Sequence, residues 1–98
     1  MQLATMNRHM KAFEVRLNGK RLCVAGIGED GVMNTMIDHV IGNGRNEVLL
    51  RVGGLLRPTE EHVRWEQLPL KVGDTVEVHV IETEAVDTPK DRFKVEDH

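Results

Sequence analysis

A chain of 98 residues has room for one hydrophobic core and not for two. Hydrophobic residues make up 40% and charged residues 30%, the balance of a folded globular protein. Phe13, Trp65 and Phe93 are the only aromatics, so Val, Leu, Ile and Met must supply most of the core. The net charge of −3 and the scatter of the 13 Lys and Arg argue against nucleic acid, which needs a clustered basic surface. No run approaches the ~20 apolar residues of a membrane-spanning helix, so no membrane partner is expected.

Residues 1–11 read as a flexible N-terminal arm, and the first ten lack the apolar stretch of a secretory signal. Cys23 is the sole cysteine, which rules out an intrachain disulfide and fits a reducing compartment; a cytoplasmic protein is expected. Residues 12–83 are expected to form a single domain, and residues 84–98, where charge clusters and the apolar pattern lapses, a mobile charged tail.

From Phe13 to Val24 apolar and polar residues alternate on either side of Asn18-Gly19. Asn-Gly accepts the two positive φ angles of a type I′ turn, so this stretch predicts an N-terminal β-hairpin. Regular pairing sets Leu17 against Lys20, Arg16 against Arg21, Val15 against Leu22 and Phe13 against Val24. Cys23 then lies on the outer face opposite Glu14.

After a glycine loop over residues 26–31, apolar residues fall in pairs at 32/33, 36/37 and 40/41. That spacing of four predicts a helix over 32–41, with Asp30 as N-cap and Gly42 beyond its C-terminus. The β-branched Val32, Thr35, Ile37, Val40 and Ile41 pull the other way. Gly42-Asn43-Gly44 reads as a turn. Residues 47–52 read as a strand ended by Gly53-Gly54, residues 59–61 as a single helical turn after Pro58, and residues 62–65 as a short strand. The clean Val76/Val78/Val80 face predicts a last strand over 75–82.

Hairpin, helix and further strands in that order predict an α+β roll, with one helix packed on a mixed four- to five-stranded sheet. The hairpin, the helix and the segment Leu70-Lys71-Val72-Gly73-Asp74-Thr75-Val76-Glu77-Val78 resemble the β-grasp (ubiquitin-like) fold over residues 13–82. The resemblance implies that the last strand lies beside the first. It implies neither modifier nor sulfur-carrier activity, because those proteins end in Gly-Gly and Gly53-Gly54 here sits mid-chain.

No catalytic constellation emerges. The chain contains no serine, and Cys23 is expected opposite an acidic neighbour that discourages a thiolate. His9, His39, His62, His79 and His98 lack metal-ligand spacing, with His79 and Glu77 the nearest approach to a pair, so no metal or other cofactor is expected. The glycine loops at 26–31 and 42–44 match no phosphate-binding spacing, though they supply the alternative reading, a small-ligand or anion-binding domain.

If the first and last strands are neighbours, Glu14, Arg16, Arg21, Arg51, Glu77 and His79 share the sheet's outer face. Paired arginines on a rigid sheet suit a carboxylate-bearing partner. The expected function is therefore a non-enzymatic protein-interaction module, an adaptor, inhibitor or immunity-type protein binding through its sheet face or edge. A homo-oligomer is also expected wherever a strand edge stays free. Trp65 alternates with Val63 and is placed in the core.

Overall fold

The structure, a computed structural model, describes residues 9–94. Most of the expected N-terminal arm, the end of the expected tail over 95–98 and His98 lie outside the described residues.

Met10–Leu17 (β1) turns through Asn18-Gly19 into Lys20–Gly26 (β2). Asn18 and Gly19 have φ of 53° and 83°, as a two-residue I′ loop requires. Leu17 faces Lys20 and Arg16 faces Arg21, but the register then slips. Val15 faces Cys23, Glu14 faces Val24 and Phe13 faces Ala25, leaving Leu22 as a bulge. The expected pairs Val15–Leu22 and Phe13–Val24 are thus corrected by one residue. Cys23 and Ala25 turn into the core, and Leu22 packs at its margin.

The expected helix is overturned. Gly31–Gly42 is a strand (β3) that pairs along its length with Arg45–Leu56 (β4) through Asn43-Gly44. Asn43 and Gly44 have φ of 49° and 78°, almost the geometry of the first hairpin turn. Turn chemistry and β-branching together outweigh the four-residue spacing of the apolar pairs. Gly53-Gly54 does not end the strand either, since β4 runs through it to Leu56. The backbone approaches so closely there that a methyl group on Gly54 would collide with the Val32 carbonyl oxygen. Residues 57–60 form a turn, with Glu60 N–H donating to the Arg57 carbonyl at 3.3 Å, in place of the expected helical turn.

Glu61–Leu70 (β5), Val76–Thr83 (β6) and Asp91–Lys94 (β7) complete the fold. The expected α+β roll is therefore corrected to an all-β architecture with no helix among the described residues. In place of one mixed sheet there are two antiparallel ones, ordered β2-β1-β6 and β3-β4-β5-β7. β1 and β6 are neighbours, with Val15 opposite Val78 and Arg16 opposite Glu77.

The two sheets meet over Val15, Cys23 and Ala25 on one side and Leu50, Val52, Leu56, Val63 and Trp65 on the other. Trp65 reaches this core because β5 is also bulged. Gly53 faces Arg64 and Val52 faces Glu66, so Trp65 is the extra residue. The inward positions accordingly change from Val63 and Trp65 to Leu68 and Leu70 along one strand.

Residues 84–90 carry the chain from β6 to β7 past the β2 edge. Asp87 N–H donates to the Val24 carbonyl at 2.9 Å, and Val24 N–H donates to Asp87 Oδ2 at 2.8 Å. Trp65 Nε1 donates to the Asp87 carbonyl at 2.7 Å, and Arg21 donates to Asp87 Oδ1 at 3.2 Å. At the far end, Asn18 Nδ2 donates to Asp74 Oδ1 at 3.0 Å while Thr75 N–H donates to Asn18 Oδ1 at 2.9 Å. The first hairpin turn is thereby tied to the turn before β6.

Urea unfolding checks these contacts. Trp65→Ala is expected to lose about 3–5 kcal/mol through its cavity, and Gly54→Ala about 1–3 kcal/mol through overpacking. Asp87→Ala is expected to lose about 1.5–3 kcal/mol with the charge-assisted bond to Val24. Val72→Ala, at a fully exposed turn, is expected to stay within about 0.5 kcal/mol of the parent.

Candidate binding surfaces

The structure divides the six residues expected on one face between the two sheets. Glu14, Arg16, Arg21, Glu77 and His79 belong to the three-stranded sheet, where Glu14 faces His79 and Arg16 lies between Arg21 and Glu77. Arg51 belongs to the four-stranded sheet, opposite Met36 and Gln67. The arginines of the first group are engaged within the chain. Arg16 Nη2 lies 3.4 Å from Glu14 and Arg21 Nη2 lies 3.2 Å from Asp87. Part of this face is also closed off, since Val86 packs against Gly26 next to Ala12.

A concavity that brings apolar and charged side chains together lies elsewhere, on the outer face of the four-stranded sheet. It is an open hollow of about 490 Å³, walled by Val32 and Met36 from β3, Arg51 from β4, His62 and Arg64 from β5, and Phe93 from β7. Register explains the grouping. Val32 faces Leu55, Leu55 faces His62 and His62 faces Phe93, so all project to one side. Gly53, between Asn34 and Arg64, contributes no side chain, and the floor is bare backbone there. The His62 and Phe93 rings stack with centroids 5.3 Å apart.

Val32, Met36 and Phe93 remain 44%, 42% and 49% exposed, an apolar rim facing solvent. Between them stand two guanidinium groups with acidic partners. Arg64 donates to Asp91 Oδ2 through Nε at 3.0 Å and Nη2 at 2.7 Å, and to Gln67 Oε1 at 2.9 Å. Arg51 Nε lies 3.4 Å from Asp38 Oδ2 and is buried without a well-formed hydrogen bond. The hollow thus presents apolar surface and fixed, internally balanced polar groups.

Sequence reasoning missed this site because it placed Gly53-Gly54 at a strand end. A glycine pair inside an apolar strand pattern is the signal for a bulge or a close backbone approach, and both occur here. The glycine loops of the alternative reading lose their helix. Residues 26–31 lead into β3, and Asn43-Gly44 is a hairpin tip, so neither faces the end of a helix. Among the described residues no three His, Cys, Asp or Glu side chains converge on a point where a metal ion would sit. None of the helices needed to cross a membrane is present among them either.

Compared with protein-family profiles, characterised proteins and solved structures, the chain matches none.

Cys23 is buried against Val15 and Trp65 rather than set on the outer face. Burial, with the nearby Glu66 and Asp87 carboxylates, pushes its thiol from 9.0 up to about 11. A raised pKa in the folded state favours folding fully below pH 9, and that contribution is lost as pH rises toward 11. Cys23→Ala is therefore expected to flatten the fall in stability between those values, followed by urea unfolding at stepped pH. Alkylation of Cys23 at pH 8 is expected to be at least ~100-fold slower in the native protein than in urea, since only the thiolate reacts.

Proposed function

We propose that this chain is a non-enzymatic protein-interaction module, of adaptor, inhibitor or immunity type, whose partner protein seats in the hollow of the four-stranded sheet. The observation that carries this reading is the apolar rim of Val32, Met36 and Phe93 around a floor that Gly53 leaves bare. An extended partner segment can approach bare backbone closely, and covering what remains exposed of each half-buried rim side chain is worth roughly 0.7–1.5 kcal/mol, about half of a full burial. Three such anchors at one place form the apolar centre of a contact, which main-chain and polar bonds from the partner must supplement to offset the cost of association.

Charge supports a protein partner over a polyanion. Arg16, Arg21, Arg45, Arg51, Arg64 and Arg92 each have a carboxylate within 3.4 Å, so the guanidinium groups on both sheets are already balanced. A phosphate backbone would have to displace those carboxylates one by one. The non-enzymatic part of the reading rests on the site's chemistry. The chain's single thiol is buried and protonated, serine is absent, and the hollow is open to water instead of enclosing reactants. A buried reduced thiol also suits the cytoplasm.

Crosslinking pull-down with mass spectrometry, comparing the parent with variants, tests the assignment. Met36→Asp and Phe93→Asp, at half-exposed positions, are expected to leave the fold intact and to reduce partner recovery at least ~10-fold. Arg16→Glu with Arg21→Glu, on the other sheet, is expected to leave it unchanged. A partner lost only with the second pair would move the site to the three-stranded sheet. Turnover of a substrate with no protein partner would overturn the reading.

A further inference from the structure

We infer that β3 is a dimerisation edge, and that two copies of this chain pair antiparallel through it, centred on Ile37, to make one continuous sheet with four strands from each copy. The inference goes beyond the partner site in the hollow and does not depend on it.

The four sheet edges are not alike. At β2, Asp87 occupies the backbone N–H and C=O of Val24. β7 is four residues long and carries Asp91, Arg92 and Lys94. β6 carries Glu77, His79 and Glu82. β3 is twelve residues long, has no proline and no lysine, and holds two polar ionisable side chains, Asp38 beside Arg51 and His39 hydrogen-bonded to Asn46. Among the described residues it pairs with β4 on one side only. Short length, charge, proline or a covering segment are the devices by which folded proteins block an edge, and among the described residues β3 is the edge they protect least.

The sequence of β3 is complementary to itself. A two-fold axis perpendicular to the sheet keeps each residue opposite one on the same face. Centring on Asp38 would oppose two carboxylates. Centring on Met36 would leave Ile41 facing only the partner's Gly31. Centring on Ile37 sets Ile37 against the partner's Ile37 and Met33 against the partner's Ile41, while Asp38 faces the partner's Met36. Ile37 and Ile41 lie on the core-facing side of the sheet, in register with Leu50 and Asn46, yet Ile37 is 55% exposed. The same axis keeps the three-stranded sheets of both copies on one side of the joined sheet. Ile37 and Val76 of β6 line a common cleft on that side. Pairing eleven residues forms about ten backbone hydrogen bonds, as many as a whole standard interface carries.

Light scattering coupled to size exclusion on the full chain is expected to give twice the 11.1 kDa monomer mass. Ile37→Lys, which supplies the missing edge charge at a half-exposed position, is expected to halve that mass with an unchanged circular dichroism spectrum. Thr88→Lys, the same charge change at an exposed position in the segment beside β2, is expected to keep the dimer. Under mild oxidation I37C is expected to crosslink between copies, and I41C, which faces the partner's Met33, is not. Should I37K fail to fold, β3 amide exchange in the parent decides instead, with protection rising with protein concentration if the edge pairs. A monomeric parent, a dimer that survives I37K, an I37C variant that does not crosslink, or β3 exchange independent of concentration overturns the inference.

Discussion

Asp87 holds the two sheets in their relation to each other. Its backbone and carboxylate both bind Val24 at the edge of the three-stranded sheet, while its carbonyl accepts the indole N–H of Trp65 from the four-stranded sheet. Trp65 is the largest side chain in the core, and its indole N–H is a strong hydrogen-bond donor that burial would otherwise orphan. The remainder of the core consists of Val, Leu, Ala and Cys, whose packing is favourable but not directional. A single residue of a connecting segment therefore supplies the directional bonds between layers and covers an edge as well.

That clamp makes the molecule asymmetric. On the side of β2 and β5 the layers are closed by Cys23, Ala25, Trp65 and the segment around Asp87. On the side of β3 and β6, residues in register with the core stay in contact with water. Ile37 pairs with fully buried Leu50 and Val78 pairs with fully buried Val15, yet neither is covered. Three strands cannot cover four that run up to twelve residues, so apolar surface is left over at one margin. The hollow on the outer face has a separate origin in the glycine pair of β4 and the bulge opposite it. One surface arises from incomplete layering and the other from a missing side chain.

How far the sequence could be read depended on the range of the interactions involved. Asn18-Gly19 flanked by alternating residues was legible, because a I′ turn is a property of two residues and needs no distant partner. The same dipeptide at Asn43-Gly44 was equally legible as a turn, but its consequence for residues 32–41 was not drawn. Apolar pairs at a spacing of four satisfy a helix locally, whereas the strand gains its stability only once β4 lies alongside. Of the candidate surface, the adjacency of Glu14 and Arg16 with Glu77 and His79 followed from β1 lying beside β6, while Arg51 went to a different sheet. The bulges at Leu22 and Trp65 were illegible, since each is set by what must be buried on the opposing layer.

By itself the sequence determined the hairpin turns, the apolar alternation of β6, the scatter of Lys and Arg along the chain and the supply of aliphatic residues for one core. Tertiary structure decided the class of residues 31–42, the division into two sheets, the inward turn of Cys23 and the hollow around Gly53. The division has one physical cause. Turns and charge are fixed by neighbours along the chain, but strand pairing and burial are stabilised by partners tens of residues away, and their sign changes with a slip of one position.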